Sequence, residues 1–205
     1  METTDGIYLY GASGHAKVIC DIIEARGLKV RGFIDDNSGL TKFRNMDVRH
    51  VAEGCSPIIV SIGNCDIRRK IVRKLAGHKF VTAIHPATVV SPSASIGEGT
   101  VIMPGAIVNA DALIGKHCII NTKASVEHDC RLADFVHIAP GCTVCGGVEV
   151  GEATWVGTGT SVKQGVKIGK NCMIGAGSTV VSDIPDNVVA FGTPARVIRK
   201  NLHDE

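Results

Sequence analysis

Aromatic residues and net charge are both scarce in this chain of 205 residues. Phe, Trp and Tyr make up only 4% of it, and the formal charge at pH 7 is +2. A net charge this small gives no reason to expect nucleic acid or an anionic membrane surface as a partner. Because 44% of the residues are hydrophobic and 20% are charged, the chain is expected to bury a sizeable core rather than to be disordered.

Long hydrophobic runs are missing as well. The apolar stretches fall far short of the roughly 20 residues that a membrane-spanning helix needs. The first residues also lack the basic and then apolar pattern of a secretory leader. These two absences predict a soluble, cytoplasmic protein that does not enter a membrane.

Cysteine is present, but not in a metal-binding pattern. The chain has eight cysteines, of which Cys142 and Cys145 form a C-x-x-C. No second pair stands at a matching spacing, so a structural zinc site is disfavoured. The sequence therefore predicts no bound metal.

An aliphatic residue recurs at every sixth position from Ile84 to Val180 without interruption. Four places after each one comes a small or slim residue, and Cys118, Cys130, Cys142 and Cys172 fill that position in four repeats. A period of six fits neither an α-helix nor a single alternating strand, but it fits a coil of three short strands per turn. Glycine, asparagine and aspartate at the corners suit the tight turns between strands. The repeat predicts a hexapeptide parallel β-helix.

The same register predicts which residues point outward on each side of the prism. The outward column of the first side is largely apolar: Ala83, Val101, Ile119, His137, Trp155 and Met173. A soluble monomer rarely exposes such a stripe, so another copy of the chain is expected to cover it in a threefold assembly. For Trp155, a lone exposed aromatic residue and a ring that stacks on a ligand both stay open.

A different pattern precedes the repeat. Strands are predicted at 7–10, over VRGFIDD, over PIIVSIGN and over KFVTAI, and helices from GASGHAK to Arg26 and over DIRRKIVRKLAG. This alternation predicts a small Rossmann-like α/β domain over residues 1–84, ahead of the β-helix over 85–205. The second helix should present a plain solvated basic face: Arg68, Arg69, Lys70, Arg73 and Lys74.

The first turn of this domain, from Gly11 to His15, is not a complete G-x-G-x-x-G, so a nicotinamide cofactor is disfavoured. A glycine turn at a helix N-terminus can still hold a phosphate through its backbone N–H groups. Asp35 and Asp36 end the second strand, where such folds commonly bind a ribose or sugar hydroxyl. The alternative is a turn that serves packing alone.

One imidazole stands between two carboxylates in the segment SVEHDC. The register places His128 at a corner, next to Gly146 of the following coil. Glu127 or Asp129 could orient the ring as a general base, and the N–H of Gly146 could face an oxyanion, which together suggest acyl transfer. A hydrated turn without function is the alternative. His137 lies about a strand length away, so the two histidines can cooperate only across two chains.

The chain resembles the bacterial hexapeptide-repeat acetyltransferases that act on nucleotide-linked amino sugars, together with the similar sialic acid O-acetyltransferases. The resemblance covers essentially the whole chain and is carried by GASGHAK, FIDD, NTKASVEHDC, HIAPGCTVCGG and FGTPARVIRK. It implies a left-handed β-helix, a homotrimer and acetyl-CoA as cosubstrate.

The resemblance also implies roles for particular residues. His128 matches the general base, supported by Glu127 or Asp129, and the backbone of Gly146 matches the thioester contact. Asn121 and His137 match positions that line the acceptor and acetyl pocket. Acetyl-CoA would further pass Thr158, Gly159, Ala176 and Gly177. The nucleotide sugar would be held by the first domain through Gly11, Ser13, Gly14, His15, Asp35, Asp36 and Asn64.

The predicted activity is direct acetyl transfer from acetyl-CoA to the amine of a nucleotide-linked 4-amino-4,6-dideoxy sugar. O-acetylation of a sialic acid or another sugar is the second possibility, because an amine and a hydroxyl would use the same base. Two other classes stay open: a metal-dependent hydratase that uses His117, His128 and His137, and a non-catalytic scaffold.

Overall fold

The computed structural model describes residues 6–201. The two predicted domains also include residues 1–5 and 202–205, which lie outside the described residues. Within the described part, an α/β domain is followed by a parallel β-helix and a C-terminal hairpin.

The N-terminal domain has a five-stranded sheet and two helices. Its elements are β1 (Ile7–Tyr10), α1 (Gly14–Ala25), β2 (Val30–Ile34), β3 (Lys42–Phe43), β4 (Met46–Arg49), β5 (Ile58–Val60) and α2 (Cys65–Lys74). The strand order in the sheet is β3-β4-β2-β1-β5. The strand β1 pairs in parallel with β2 and with β5, and all four of its residues are buried. A strand enclosed in this way is expected to read as a continuous apolar run, as IYLY does.

Three of the predicted strands and both predicted helices are present, but β3 and β4 were not predicted. The turn between them consists of Arg44 and Asn45, with φ of 47° and 62°. Two left-handed central residues make the turn that fits a hairpin, yet arginine is not a residue that signals it. The predicted strand KFVTAI is divided: Phe80 forms a single bridge to Ile58, and Ala83–Ile84 already belongs to the first coil.

The β-helix follows the predicted register. Residues three hexads apart pair in parallel, as Ile119 does with His137 and His137 with Trp155. The first side holds β6 (Ala83–Ile84), β9 (Val101–Ile102), β12 (Ile119–Ile120), β15 (His137–Ile138), β18 (Trp155–Val156) and β21 (Met173–Ile174). The second holds β7 (Val89–Val90), β10 (Ile107–Val108), β13 (Ser125–Val126), β16 (Thr143–Val144), β19 (Ser161–Val162) and β22 (Thr179–Val180). The third holds β8 (Ser95–Ile96), β11 (Leu113–Ile114), β14 (Arg131–Leu132), β17 (Glu149–Val150) and β20 (Lys167–Ile168).

The C-terminal hairpin extends the first side. Strand β23 (Val188–Gly192) pairs in parallel with β21, and β24 (Ala195–Lys200) returns antiparallel to it. The four cysteines of the small-residue position, Cys118, Cys130, Cys142 and Cys172, are buried in the core of the prism. Over residues 6–201, neither helix has the length and apolar character to cross a membrane.

The N-terminal domain covers the first coils of the first side, so the expectation that another copy of the chain covers this column is wrong there. Ile19 and Ile23 of α1 share one buried cluster with Val101 and Ile119. The hexad pattern reports which residues face outward, but it carries no information on what packs against them. Further along the column, Met173 is exposed.

Candidate active site

His128 lies at the corner between the second and third sides, and of its two acidic neighbours in sequence, Asp129 contacts its ring. Its Nδ1 is 2.7 Å from Oδ2 of Asp129. Glu127 instead accepts a hydrogen bond from the amide of Asn109, one coil earlier. Because an ionised carboxylate can only accept, Nδ1 carries the ring proton and the Nε2 lone pair is free. The imidazole is largely exposed, with 59% of its side-chain surface accessible.

Gly146 lies against this ring, as the register predicts. A Cβ at this position would be 2.6 Å from both Cε1 and Nε2 of His128. The neighbouring Gly147 donates its N–H to the carbonyl of His128 at 2.9 Å. His128 and Gly146 therefore share one edge of the prism, and only a residue without a side chain fits beneath the imidazole.

His137 lies elsewhere, on the first side and beneath the N-terminal domain. It is 4% exposed, and its ring stacks on Trp155 with centroids 4.7 Å apart. Its Nδ1 donates to the carbonyl of Gly63 at 3.0 Å, and its Nε2 accepts from the amide of Asn121 at 3.0 Å. The ring of His15 is 6.4 Å away. Trp155 is thus half-buried against His137 and is not a lone exposed aromatic residue.

The buried histidines are neutral at neutral pH. Burial, assisted by the charge of Arg68, lowers the pKa of His137 to about 3 and that of His15 to about 4. Burial also lowers the pKa of His117 to about 4. Two uncharged imidazoles, His15 and His137, therefore meet where α1 faces the first side.

The carboxyl ends of β1, β2 and β5 bring most of the predicted nucleotide residues to one edge of the sheet. Ser13 and Gly14 are exposed at the start of α1, and no atom would contact a Cβ added at Gly14. Gly11 has φ of 104° and donates to the carbonyl of Ile34, so its N–H is already used. The N–H of Ala12 is used as well, so a phosphate at this edge would meet the backbone N–H groups from Ser13 onward.

The two aspartates at this edge already have partners. Asp35 accepts from the N–H groups of Ala12 and Asn37, both at 2.9 Å. Asp36 pairs with Lys74 at 2.7 Å and accepts from the hydroxyl of Tyr10 at 2.7 Å. The hydrogen bonds from Lys74 and Tyr10 lower the pKa of Asp36. Asn64 caps α2 by accepting from the N–H of Ile67.

Four of the predicted acetyl-CoA residues lie on a different edge from His128, whereas Gly146 shares the edge of His128 and His137 lies on the first side. Thr158, Gly159, Ala176 and Gly177 are all exposed at the corners between the first and second sides. Backbone hydrogen bonds join this edge from coil to coil, as from Gly177 to the carbonyl of Thr158 and from Gly141 to that of Thr122. Asn121 lies on the same edge two coils earlier. Within one chain, the whole second side of the prism therefore lies between Asn121 and His128.

The three histidines of the hydratase alternative do not meet. His117 is buried between the rings of Phe80 and Phe135, at the corner between the third and first sides. His128 and His137 occupy a second corner and a face. No three His, Cys, Asp or Glu side chains in residues 6–201 are arranged to hold a metal ion.

Arg68 contradicts the prediction of a plain solvated basic face on α2. It is 1% exposed and donates only to groups inside the protein. Its neighbour Arg69 bonds to Asp66 and, across the domain boundary, to Glu152. The helical pattern alone could not reveal this, because the basic residues of α2 follow one another too closely to show which of them faces the β-helix.

Two family profiles match the chain. The PglD N-terminal domain matches residues 6–75, and the bacterial transferase hexapeptide (six repeats) matches residues 147–182. These matches coincide with the α/β domain and with later coils of the β-helix. Fold and repeat together define a hexapeptide-repeat transferase.

Solved structures match over nearly the whole chain. A variant of perosamine N-acetyltransferase from Caulobacter crescentus, in complex with CoA and GDP-perosamine, is 39% identical with a TM-score of 0.90, covering 96% of this chain and 98% of that one. The acetyltransferase domain of PglB from Neisseria gonorrhoeae, in complex with acetyl coenzyme A, is 35% identical with a TM-score of 0.87, covering 95% and 99%. The chain belongs to the hexapeptide-repeat sugar acetyltransferase family, which confirms the family predicted from its motifs.

Curated relatives match over shorter stretches. UDP-N-acetylbacillosamine N-acetyltransferase from Bacillus subtilis is 43% identical over 107 residues, which cover 46% of this chain. The match spans 50% of that relative and 20% of a matching protein from Acanthamoeba polyphaga mimivirus.

Proposed function

We propose that this protein transfers the acetyl group of acetyl-CoA to the amine of a nucleotide-linked 4-amino-4,6-dideoxy sugar, in bacterial glycan synthesis in the cytoplasm. The relatives support the class of substrate. The Caulobacter structure contains CoA with GDP-perosamine, the Neisseria structure contains acetyl coenzyme A, and the Bacillus relative is named for a UDP-linked sugar.

The observation that carries the proposal is the group formed by His128, Asp129 and Gly146. Asp129, 2.7 Å from Nδ1, holds the ring so that Nε2 is the proton acceptor. As the sugar amine attacks the thioester carbon, the C–N bond forms and a proton passes from the amine to Nε2. The C–S bond then breaks, and the CoA thiolate takes that proton from the imidazolium. The backbone of Gly146 faces the thioester oxygen in this arrangement.

The complete site is proposed to form between chains of a homotrimer of left-handed β-helices. Asn121, His137 and four of the predicted acetyl-CoA residues lie on a different edge or face from His128 and Gly146, so a neighbouring chain has to bring the two groups together. The second side supports such packing, because Val89 and Ile107 are 64% and 37% exposed on it. The acetyl-CoA itself would lie in the groove between chains, past Thr158, Gly159, Ala176 and Gly177.

The N-terminal domain is proposed to hold the nucleotide at the carboxyl edge of its sheet. The start of α1 offers the exposed Ser13 and Gly14, and His15 lies between this edge and His137. A diphosphate at a helix N-terminus is a favourable arrangement for backbone N–H groups and helix dipole alike. Lys74 and Tyr10 both contact Oδ1 of Asp36, and its side chain is 56% exposed, so this carboxylate can also accept from a ribose hydroxyl.

The experiment that tests this function supplies acetyl-CoA and a panel of acceptors to the purified protein. The panel contains GDP-, UDP- and dTDP-linked 4-amino-4,6-dideoxy sugars, with free and nucleotide-activated sialic acid as hydroxyl acceptors. Mass spectrometry should find one added acetyl group on an amine of one nucleotide sugar, with equimolar CoA. Acetylation of sialic acid alone would replace the proposal with O-acetyl transfer, and transfer to none of these acceptors would contradict both.

A further inference from the structure

Arg68 is a buried cation whose five N–H groups are all used inside the protein. Its Nε donates to the carbonyl of His117 at 2.8 Å, and its Nη1 donates to those of Ile62 and Gly63 at 2.8 and 2.9 Å. Its Nη2 donates to the carbonyl of Phe135 at 2.6 Å and contacts Sγ of Cys65 at 3.7 Å. Within residues 6–201, no carboxylate bonds to it. Four carbonyl dipoles thus take the place of a counter-ion.

Two of these carbonyls belong to one corner of the β-helix, between its third and first sides. His117 and Phe135 have φ of 53° and 63°, and bulky residues rarely adopt this left-handed conformation. Their rings stack on each other with centroids 5.4 Å apart. In this conformation both carbonyls reach one guanidinium group from the N-terminal domain. The same left-handed conformation recurs at the turns of other hexads, as at Asp129 and Ala153, so the repeat sets it and Arg68 binds carbonyls that the coil already presents.

Arg68 and His137 of the proposed site share one hydrogen-bond acceptor, the carbonyl of Gly63. The carbonyl of Gly63 accepts from Nη1 of Arg68 at 2.9 Å and from Nδ1 of His137 at 3.0 Å. A carbonyl can only accept, so this contact places the proton of His137 on Nδ1 and makes Nε2 the acceptor for Asn121. The amide of Asn121 is in turn fixed by accepting from the N–H of Thr122 at 2.8 Å.

We propose that Arg68 is a positioning residue: it holds the Gly63 carbonyl where that group fixes the tautomer of His137, and through His137 it aligns Asn121 at the acetyl pocket. The catalytic part of this inference rests on the proposed function. The groups that face His137 are His15 from α1 and Arg68 from α2, with the uncharged Asn121 and Trp155 from the β-helix. Both His15 and Arg68 favour the neutral form of the His137 ring.

The first test reads the tautomer directly and needs no substrate. Two-dimensional long-range ¹H–¹⁵N spectra of the full chain labelled at histidine nitrogen distinguish the two neutral tautomers from the imidazolium. The His137→Gln variant assigns the signal. At pH 7 the wild-type protein should show His137 as the neutral form protonated at Nδ1. A ring protonated at Nε2 alone, or a charged ring, would overturn the proposal even if every Arg68 variant failed to fold.

The second test compares Arg68→Lys with Arg69→Gln as a matched control. Lysine keeps the charge but has three donors from one atom, so it cannot hold the four carbonyls together. We expect mixed tautomers of His137 and a fall in kcat of up to about 100-fold, with the KM for acetyl-CoA changed little. Arg69→Gln removes contacts to Asp66 and Glu152 from the same helix, and it should retain the wild-type tautomer and kcat. An unchanged tautomer in Arg68→Lys, or equal effects in both variants, would contradict the proposal.

The two proposals can fail separately. If the wild-type protein acetylates no acceptor in the panel, the proposed function is wrong, while the tautomer of His137 still tests what Arg68 does. If the wild-type protein is active and Arg68→Lys keeps both tautomer and kcat, only the role of Arg68 is wrong.

Discussion

Asp129 supports His128 because of the backbone conformation at the corner. Asp129 has φ of 60°, a left-handed conformation that aspartate tolerates better than most residues. This turn brings its carboxylate to Nδ1 of the preceding residue, whereas Glu127 bonds to Asn109 on the neighbouring coil. The sequence could name both acids but could not choose between them, since either chain position is adjacent to the imidazole.

The choice between the acids is testable by exchanging each carboxylate for its amide. Asp129→Asn keeps the corner conformation, but an amide can donate to Nδ1 and place the proton on Nε2. We expect kcat/KM to fall by about 10²-fold or more, because the wrong tautomer is not a base. Glu127→Gln should cause a smaller loss. Steady-state kinetics that show the reverse order would assign the supporting role to Glu127.

Gly146→Ala tests the contact beneath the imidazole. A Cβ only 2.6 Å from Nε2 has to displace the exposed ring, so we expect kcat/KM to fall by up to about 100-fold with little change in thermal stability. Gly147→Ala is the control, because its φ of 66° makes alanine strained while no atom lies within 4 Å of the added Cβ. That variant should lose stability and keep its activity. Equal kinetics for the two variants would rule out a role for the close contact.

At the scale of elements, the β-helix was predictable and its cover was not. Each coil repeats the same short pattern, so the register from β6 to β22 could be read from Ile84 and its successors alone. The packing of α1 on the first side, and the burial of Arg68, depend on contacts between residues far apart in the chain. The shared edge of His128 and Gly146 could be predicted as well, because residues three hexads apart fall at the same corner of successive coils.

The interface between the N-terminal domain and the first side should make the protein sensitive to acid. His15, His117 and His137 have pKa values lowered to about 4, 4 and 3, whereas an unfolded histidine has a pKa of 6.5. The unfolded chain thus binds more protons below about pH 6.5, and stability falls as pH decreases through this window. Each histidine contributes about 1.4 kcal/mol per pH unit between its two pKa values.

Urea unfolding at fixed protein concentration checks this expectation. The free energy of unfolding should decrease steadily from pH 6.5 to pH 4.5, and replacing His117 by Phe should reduce the slope by about one proton. A free energy that is constant over this range would mean that the three histidines are protonated in the folded protein or paired with acids.

At the scale of the whole molecule, one chain carries the parts of the site on separate edges. His128 and Gly146 lie between the second and third sides, and Asn121 lies between the first and second. The family membership accounts for the fold, but the sharing of the site between chains is a proposal that rests on this separation.

Mixed oligomers test the shared site. Chains with His128→Ala and chains with Asn121→Ala, each carrying its own tag, are co-expressed so that they form mixed oligomers. Each variant is expected to be impaired when it assembles alone. If each site takes His128 from one chain and Asn121 from its neighbour, one of the three sites is intact in every trimer that contains both variants, whichever variant is present twice. Activity near that fraction is expected in the doubly purified oligomer. Activity no higher than in the separate variants, or a monomer by light scattering, would contradict a site shared between chains.

The most direct test of the central claim is the turnover of His128→Ala with acetyl-CoA and the preferred acceptor at saturation. His128 is exposed, so this variant should keep its fold and oligomeric state, while loss of the general base should lower kcat by about 10²-fold or more. Replacing His85, another corner imidazole, by Ala should leave kcat unchanged. A His128→Ala protein with kcat within about threefold of wild type would contradict the account, since general-base removal costs at least about 10²-fold.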